Sequence, residues 1–395
     1  MDPDALSALL RPDGWALLGA LPPYDERLAM VLSDQLRKQG VDPALVAAAL
    51  TQSRLRARAR EKFDDFADGM LFTPEGLEQA TRLTVAARHA QRYAAAGCAK
   101  VADLTCGLGG DAMAMAALGL PVLAMEVDEL TAALATVNLR HFPDAEVRHG
   151  DGLTLDLAAE GVDGVFADPA RRTTGGRRRH DPAAYAPPLD RVLAVREQVP
   201  ALGVKVGPAI PHDLVPEDAE AQWVSVDGDV VEAGLWFGPL APDGPGRGAL
   251  VLREREAHTL RTPPDGLPQP DVGPVGAYLH EPDGAVIRAG LVALVAAQVH
   301  GRLLDPTIAY VTSDTLVTSP VAQAYRVLDT MPFGVKRLRT ALRERGVGRV
   351  TIKKRGTAVV PEQLRKQLDL RGDGEATVVL TRVAGAQTVL LVERA

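Results

Sequence analysis

The chain has 395 residues, of which 46% are hydrophobic and 24% charged, a composition typical of a globular protein with two or three domains. Its net charge of −7 argues against a generic nucleic-acid-binding protein. The only two cysteines, Cys98 and Cys106, exclude a disulfide framework, and residues 285–300, the most apolar run, are too short to span a bilayer. The acidic N-terminus lacks the basic start of a signal peptide, so a cytoplasmic location is expected.

Residues 1–95 are predicted to form an N-terminal helical accessory domain. The Asp-Pro pair at 42–43 is a typical helix start, with the acid as N-cap and the proline at the first helical position. The Thr-Pro pair at 73–74 is a second start, which predicts one helix continuing to about Tyr93.

Residues 96–240 alternate strand-like and helix-like segments, which predicts an α/β fold built on a parallel sheet. Residues 222–237 contain two β-like runs around an Asp-Gly turn, which predicts a closing hairpin. The predicted strands of the parallel sheet are 101–104, 121–126, 145–149, 163–167 and 202–206.

The segment VADLTCGLGGD, residues 101–111, predicts a strand, a tight glycine turn and a helix start. Glycines suit a turn that a nucleotide-like ligand approaches closely, because a Cβ would intrude. Glu126 ends the next predicted strand 19 residues after Gly107, the spacing of a carboxylate that binds both ribose hydroxyls. The same glycines also satisfy the G-x-G-x-x-A dinucleotide pattern, so they do not separate the two classes of nucleotide binder.

Asp103 separates these classes better than the glycines do. It lies at the tip of the first predicted strand, four residues before Gly107, where a carboxylate can face the cationic end of a ligand. S-adenosylmethionine carries an ammonium group and a sulfonium, whereas NAD offers neither. The stretch resembles motif I of class I methyltransferases in its D-x-x-x-G-x-G-G form.

Two further acids follow predicted strands. Asp151 follows the third strand, where a plain Asp-Gly turn is the alternative to a ligand contact. Asp168 and Pro169 follow the fourth strand and resemble the [DNS]-P-P-[YFW] signature of methyltransferases that act on exocyclic amino groups. Ala170 and Arg171 replace the second proline and the aromatic residue, which leaves the methylated atom open. Lys205, on the fifth strand, fits either a sheet residue or a site residue.

Positive charge is concentrated in two places. Residues 336–355 hold nine Lys or Arg and a single acid, a local charge of +8. Residues 171–179 hold five arginines, at the start of a predicted long loop that ends at Asp190. Basic runs are more often solvated faces, so the pattern indicates phosphate binding without establishing it.

The last third of the chain divides into two parts. Residues 241–320 are predicted to be a linker, rich in Pro and Gly in its first part, with an extended strand at 249–252, one helix at 285–300 and a strand that begins at Tyr310. Residues 321–395 are predicted to form a small α+β domain, in which residues 331–395 have the element order α-β-α-β-β. Its first helix begins at Lys336 and carries Leu338 and Leu342 as an apolar stripe.

Read together, FTPE at 72–75, DLTCGLGGD at 103–111, EVD at 126–128, Asp151 and DP at 168–169 resemble class I S-adenosylmethionine-dependent methyltransferases with a C-terminal THUMP-like domain. Residues 60–240 are similar to trimethylguanosine synthase. The resemblance implies a Rossmann-like α/β sheet with an N-terminal helical region and a small C-terminal α+β domain. It also implies S-adenosylmethionine as cofactor and RNA, either tRNA or rRNA, as substrate.

The resemblance assigns roles residue by residue. It implies that Asp168 and Pro169 are catalytic. The residues implied in cofactor binding are Thr73, Asp103, Cys106, Gly107, Gly109, Gly110, Glu126, Val127, Asp151 and Gly152. The residues expected to bind RNA are Arg171, Arg172, Lys336, Arg337, Arg339 and Arg343.

Three other functions stay open at this point. The chain fits a methyltransferase for a small molecule or a protein, with an incidental basic tail. It fits less well an NAD-dependent enzyme, which Asp103 and the Asp168-Pro169 pair disfavour. It also fits a non-catalytic protein that binds S-adenosylmethionine, since the aromatic residue of the signature is missing. The eight histidines show no metal-ligand spacing, so no metal is expected. No membrane partner is expected either, because the most apolar run is too short to span a bilayer. The sequence does not indicate the oligomeric state.

Overall fold

The computed structural model describes residues 3–171, 185–254 and 256–395. The chain divides into two compact units. The first unit comprises Met1–Val206 and Leu235–Gly244, and the second comprises Gly207–Gly234 and Pro245–Ala395.

The first unit opens with six helices. They are α1 Pro3–Leu10, α2 Pro12–Ala20, α3 Glu26–Lys38, α4 Pro43–Phe63, α5 Pro74–Gln79 and α6 Leu83–Ala96. Both predicted helix starts are confirmed, because Asp42 accepts hydrogen bonds from the first turn of α4 and Thr73 accepts one from Gly76 in α5. These caps satisfy N–H groups that have no partner within a helix.

The single helix predicted from Thr73 to Tyr93 is wrong, because the structure divides it into α5 and α6. The Lys62 ammonium donates to the main-chain oxygens of Leu77, Glu78 and Ala80 at 2.7–2.8 Å. These carbonyls at the end of α5 are therefore satisfied without further helical turns. The break places Thr81 between the two helices.

A parallel sheet follows. Its strands are β1 Val101–Asp103, β2 Val122–Glu126, β3 Ala145–His149, β4 Gly164–Ala167 and, after the short antiparallel pair β5 Ala170–Arg171 and β6 Tyr185–Ala186, β7 Leu202–Val206. The helices between them are α7 Gly110–Ala117, α8 Glu129–Leu139 and α9 Leu189–Ala194. The strand order is β7-β4-β1-β2-β3, with parallel pairing throughout. Strands β2 and β3 lie on one side of β1, and β4 and β7 lie on the other, so the direction in which strands are added changes between β1 and β4. Open α/β sheets bind ligands at such a position.

The predicted α/β fold is confirmed, and each of the five strands agrees with its prediction to within one residue. Strands β1 and β4 are buried along their whole length, as expected for strands covered on both faces. The Tyr93 hydroxyl donates to the Val165 carbonyl at 2.6 Å, which ties α6 to the sheet.

The predicted closing hairpin is also confirmed. It consists of β8 Glu220–Val226 and β9 Asp229–Trp236, and β9 ends in the first unit as the neighbour of β7. Asp227 and Gly228 form its turn with positive φ angles of 50° and 93°, the conformation that favours an Asp-Gly pair.

Residues 241–320 contain more regular structure than the predicted linker, although the expected strands at 249–252 and after Tyr310 are both present. The chain forms β10 Gly246–Arg253, which pairs with β8 in parallel, and β11 Glu256–Arg261, which pairs with β10 in antiparallel orientation. The predicted helix at 285–300 is two helices, α10 Gly284–Arg288 and α11 Val292–Gln298. Gly290 separates them with a φ of 73°, outside the helical region.

The rest of the second unit forms a seven-stranded sheet. Its strands are β12 Tyr278–Pro282, β13 Arg302–Leu303, β14 Val311–Ser313, β15 Ala322–Pro332, β16 Val347–Lys354, β17 Gly374–Val383 and β18 Ala386–Arg394. They lie in the order β13-β14-β12-β15-β18-β17-β16, so part of the expected linker contributes three strands. Helices α12 Val335–Glu344 and α13 Pro361–Leu368 complete the predicted α-β-α-β-β tail.

Candidate active site

A cavity of about 610 Å³ lies at the carboxyl ends of β1, β2 and β4. This is the edge at which parallel sheets bind ligands. Most of the predicted cofactor and catalytic residues line it, namely Thr73, Asp103, Cys106, Gly107, Gly110, Glu126, Val127, Asp151, Gly152 and Asp168. The cavity lining does not include Gly109 or Pro169.

The glycine turn has the backbone that its sequence requires. Gly107 and Gly109 have φ angles of 55° and 85°, which other residues rarely adopt. A Cβ at Gly152 would lie 2.4 Å from the Leu104 carbonyl oxygen, so the floor of the cavity accepts only a glycine there. At Gly107 and Gly152 the cavity is therefore lined by main-chain atoms without a side chain.

Glu126 is held in one orientation by the backbone around it. Its Oε2 accepts from the N–H of Gly107 at 3.0 Å, and its Oε1 accepts from the N–H of Asp128 at 2.9 Å. Each carboxylate oxygen can accept a second hydrogen bond. The fixed carboxylate therefore suits a vicinal diol such as the two hydroxyls of a ribose.

Asp103 lies beneath the cavity with 1% of its surface exposed. The N–H of Thr105 donates to its Oδ1 at 3.2 Å. Burial raises the pKa of Asp103 well above its ordinary value, and the negative charges of Asp111, Asp168 and Glu126 act in the same direction. A cationic group in the cavity would oppose both effects, so the site favours a positively charged ligand.

Asp151 forms an Asp turn and also lines the cavity. Its side chain accepts from the N–H of Leu153 at 3.0 Å, as in an ordinary Asp turn, yet Asp151 is exposed and lines the cavity. Val127 is 70% exposed beside the same cavity. The exposed Asp151 carboxylate can accept a hydrogen bond from a ligand amino group, and Val127 can cover an apolar ring.

Asp168 is partly exposed at the end of β4. Its N–H donates to the Thr105 hydroxyl at 2.7 Å, and its Oδ2 lies 2.5 Å from Nζ of Lys205. The exposed fractions of the two side chains are 31% for Asp168 and 13% for Lys205. Lys205, which the sequence left undecided, therefore contacts a side chain of the cavity lining without itself belonging to that lining.

Three further polar side chains connect to Lys205 through hydrogen bonds and were missed from the sequence, and two of them, Thr81 and Asp111, line the cavity. The Lys205 ammonium donates to the Thr81 hydroxyl at 3.0 Å, and that hydroxyl donates to Oδ2 of Asp111 at 2.7 Å. Oδ1 of Asp111 lies 2.8 Å from Nδ1 of His89. All three are buried. No sequence signal marked them, because an acid in the first turn of a helix is explained by the helix dipole alone.

The charge state of Asp111 follows from its partners. Burial on its own would raise the pKa of Asp111. The hydrogen bond and charge of His89, the charge of Lys205 and the hydroxyl of Thr81 together lower that pKa below its ordinary value. Asp111 is therefore an anion, and the Thr81 hydroxyl proton points toward it.

Two buried amides hold the chain segment that leads to Thr73. The Gln52 side chain bonds both the N–H and the carbonyl of Phe72, at 3.0 and 2.8 Å. The Asn138 side chain accepts from the N–H of Leu71 and donates to the carbonyls of Leu71 and Leu108. The segment is extended, so these amides supply the partners that a helix or sheet would otherwise provide.

The four tail cations predicted to bind RNA fall into two groups. Lys336 and Arg337 are exposed on α12. Arg339 donates to the Gln367 carbonyl, and Arg343 donates to the Asp369 carbonyl at 2.7 Å, so both cap the end of α13. The predicted apolar stripe is confirmed, since Leu338 and Leu342 are buried.

The other two predicted RNA contacts cannot be placed in the same way. Arg171 belongs to β5, but its side chain is not described, and Arg172 lies outside the described residues. Within residues 3–171, 185–254 and 256–395, no group of three His, Cys, Asp or Glu side chains is arranged to hold a metal ion. In the same ranges, no helix combines the length and the apolar character needed to cross a membrane.

Comparison with known proteins gives family matches to two parts of the chain and relatives that match most of its length. Residues 322–394 match the family described as THUMP domain-like, and residues 2–59 match a domain of unknown function, DUF8688. Uncharacterised S-adenosylmethionine-dependent methyltransferases of Mycobacterium tuberculosis, from strains CDC 1551 and H37Rv, are each 35% identical over 342 residues. Those alignments cover 83% of this chain and 90% of each relative.

A solved structure supports the fold over nearly the whole chain. The crystal structure of a Porphyromonas gingivalis W83 protein, provisionally assigned as a methyltransferase, superposes with a TM-score of 0.73 at 21% identity. The match covers 94% of this chain and 99% of that one. The cofactor is S-adenosylmethionine, as the curated relatives indicate. The chain belongs to the S-adenosylmethionine-dependent methyltransferases, in their class I form with a C-terminal THUMP-like domain.

Proposed function

We propose that this enzyme methylates an exocyclic amino nitrogen of a base in RNA, either tRNA or rRNA. The observation that carries the proposal is the position of Asp168. Its partly exposed carboxylate lines the same cavity as Glu126 and Asp103. One cavity therefore offers acceptors for the cofactor and, separately, an acceptor for a second molecule.

The cavity residues fit S-adenosylmethionine by their chemistry. The fixed Glu126 carboxylate would bind the ribose hydroxyls, and the buried Asp103 would face the ammonium group. Asp151 would accept from the adenine amino group, beside Val127. Gly107 and Gly152 present backbone where a Cβ would occupy the space of a ligand or of the chain beneath it.

When bound, S-adenosylmethionine supplies a methyl group on a positively charged sulfur. In our proposal, Asp168 accepts a hydrogen bond from the N–H of the substrate amine and holds its nitrogen in line with that methyl group. The nitrogen lone pair forms the new N–C bond as the C–S bond breaks, and the amine then releases one proton to solvent. Pro169 would restrict the backbone that carries this carboxylate.

The choice of RNA rests on the second unit. Its C-terminal residues match the THUMP-like family, and the exposed Lys336 and Arg337 stand on a helix whose opposite face is buried. Cations in this arrangement suit phosphate groups. The five arginines of residues 171–179 would add contacts, although most of that segment lies outside the described residues.

The test is methyl transfer from radiolabelled S-adenosylmethionine to total RNA from cells that lack this protein, followed by nucleoside analysis. We expect one labelled nucleoside with a methylated exocyclic amine. Label that enters only protein or small molecules would support the alternative substrates instead. Cofactor binding without any transfer would support the non-catalytic alternative.

A further inference from the structure

We propose that Lys205 is a positioning residue for methyl transfer, which holds the Asp168 carboxylate ionised and aimed at the substrate amine. This inference rests on the function proposed for Asp168. It goes beyond that function because Lys205 reaches the acceptor amine only through another side chain.

The directions of the hydrogen bonds are fixed by chemistry. An ammonium group can only donate, so Lys205 donates both to Oδ2 of Asp168, at 2.5 Å, and to the Thr81 hydroxyl, at 3.0 Å. The Thr81 hydroxyl must then direct its own proton to the Asp111 anion, at 2.7 Å. Rotation of the lysine away from this position would therefore also remove the hydrogen bond that the Thr81 hydroxyl accepts.

These hydrogen bonds matter because Lys205 is largely buried, with 13% of its side chain exposed. A buried ammonium costs free energy unless it is paired and hydrogen-bonded. Two carboxylates offset that cost: Asp168 contacts the ammonium directly, and Asp111 is connected to it through Thr81. His89 in turn holds Asp111 from its far side at 2.8 Å. Four side chains thus contribute to holding one ammonium in place.

The charges around the pair explain why Asp168 needs a cation. Asp111 on α7 and Glu126 on β2 add negative charge to this region, and Asp103 on β1 adds to it when its carboxyl group is ionised. Such neighbours favour the protonated form of a carboxyl group, and a protonated carboxyl donates where the amine requires an acceptor. The Lys205 ammonium opposes this effect, because its Nζ lies 2.5 Å from Oδ2 of Asp168.

Lys62 is another cation near Lys205, and it has a different role. Burial lowers the pKa of Lys62 to about 8, and the positive charges of Lys205 and Arg82 act in the same direction. Its ammonium is bonded to three carbonyls at the end of α5. Lys62 therefore supports the fold around Thr81, whereas Lys205 contacts the carboxylate of the transfer site.

The experiment compares the full-length protein with Lys205→Met, Lys205→Arg and Thr81→Val, using total RNA from cells lacking the protein as methyl acceptor. We expect kcat of Lys205→Met to fall about ten- to hundredfold, the effect of losing a hydrogen bond to a charged group. The dissociation constant for S-adenosylmethionine should stay within about twofold, since Glu126 and Asp103 remain in place. Lys205→Arg should recover part of kcat, and Thr81→Val should lower kcat less than Lys205→Met.

The pH profile distinguishes positioning from a structural role. Removing the ammonium makes the Asp168 anion less favourable, so the acid limb of kcat should move to higher pH in Lys205→Met and return toward its original position in Lys205→Arg. A structural role would instead reduce melting temperature, cofactor binding and kcat together. An unchanged kcat and acid limb in a folded Lys205→Met protein would overturn the inference.

A second measurement keeps the two proposals separate. Carbon-13 NMR of aspartate-labelled protein, with the Asp168 carboxyl signal assigned from its loss in Asp168→Asn, follows its titration without any RNA. We expect the titration midpoint to rise in Lys205→Met. If wild-type protein methylates no RNA but this midpoint rises, the RNA proposal fails and the Lys205 effect stands. If RNA is methylated and the midpoint is unchanged, the Lys205 inference alone fails.

Discussion

The N–H of Gly107 donates to Oε2 of Glu126 at 3.0 Å, which joins the glycine turn after β1 to the carboxylate that ends β2. The two residues are 19 positions apart in the chain. A turn and a carboxylate that are both proposed to contact the cofactor therefore share one hydrogen bond. Movement of either residue would displace the other.

We predict that Glu126→Ala weakens S-adenosylmethionine binding by about 1.5–3 kcal/mol, the contribution of hydrogen bonds to a charged group. Isothermal titration calorimetry would measure this loss. Glu129→Ala is the matched control, because it removes a nearby exposed acid from α8 outside the cavity lining. An unchanged affinity in Glu126→Ala would remove Glu126 from the cofactor site.

Asp168→Ala is predicted to separate binding from catalysis. Asp168 is proposed to contact the acceptor amine, so its loss should affect the transition state far more than cofactor binding. We expect calorimetry to give nearly unchanged affinity for S-adenosylmethionine, and methyl transfer to RNA to become undetectable. If affinity and activity decline in parallel, Asp168 belongs to the cofactor site instead.

Cofactor binding is predicted to release a proton through Asp103. The raised pKa of Asp103 means that the cofactor-free protein retains a proton there to higher pH than usual. A cationic ligand favours the ionised carboxylate, so affinity should fall as pH decreases. Calorimetry in buffers with different ionisation enthalpies would detect the released proton. Asp103→Asn should abolish that buffer dependence and bind the cofactor more weakly.

The same residue is predicted to lower stability in the absence of cofactor. A carboxyl group whose pKa is raised on folding contributes stability at low pH, and the contribution is lost as pH rises through the folded-state pKa. Asp103→Asn should therefore raise the melting temperature of the cofactor-free protein at neutral pH. A lower melting temperature would indicate that Asp103 is ionised and well paired in the folded state.

RNA binding by the full-length protein is predicted to depend on Lys336 and Arg337 more than on Arg343. Replacing both exposed cations by Gln should reduce the salt slope of binding to total tRNA by about one per lost phosphate contact. Arg343→Gln is the comparison, since the Arg343 guanidinium is bonded to Asp369. Equal slopes for the wild-type and doubly substituted proteins would place the RNA surface elsewhere.

The sequence predicted the sheet and the acids at its edge because both depend on local pattern. A buried apolar strand ends where a polar residue or glycine begins, so Asp103, Glu126 and Asp168 could be assigned to strand ends. The edge of a parallel sheet then brings such ends together. The structure adds that these positions line one cavity.

The contacts behind that edge were not accessible from sequence. Lys205 meets Asp168 because β7 is the neighbour of β4, and strand order cannot be read from spacing. Thr81 meets Asp111 because α5 ends early, which depends on the distant Lys62. The sequence indicated only a short strand at 249–252, whereas β10 is longer and β11 was missed, since strand pairing outweighs the Pro- and Gly-rich local sequence.

The break between α5 and α6 has a practical consequence for truncation experiments. Thr81 lies within the predicted accessory domain, residues 1–95, yet its hydroxyl contacts both Lys205 and Asp111. His89, which holds Asp111, lies there too. A protein that begins at residue 96 would lack the residues between 73 and 81 that line the cavity, Thr81 among them. Loss of activity on such a deletion would therefore say nothing about whether the N-terminal helices recognise substrate, and point substitutions on their exposed faces are the appropriate probe.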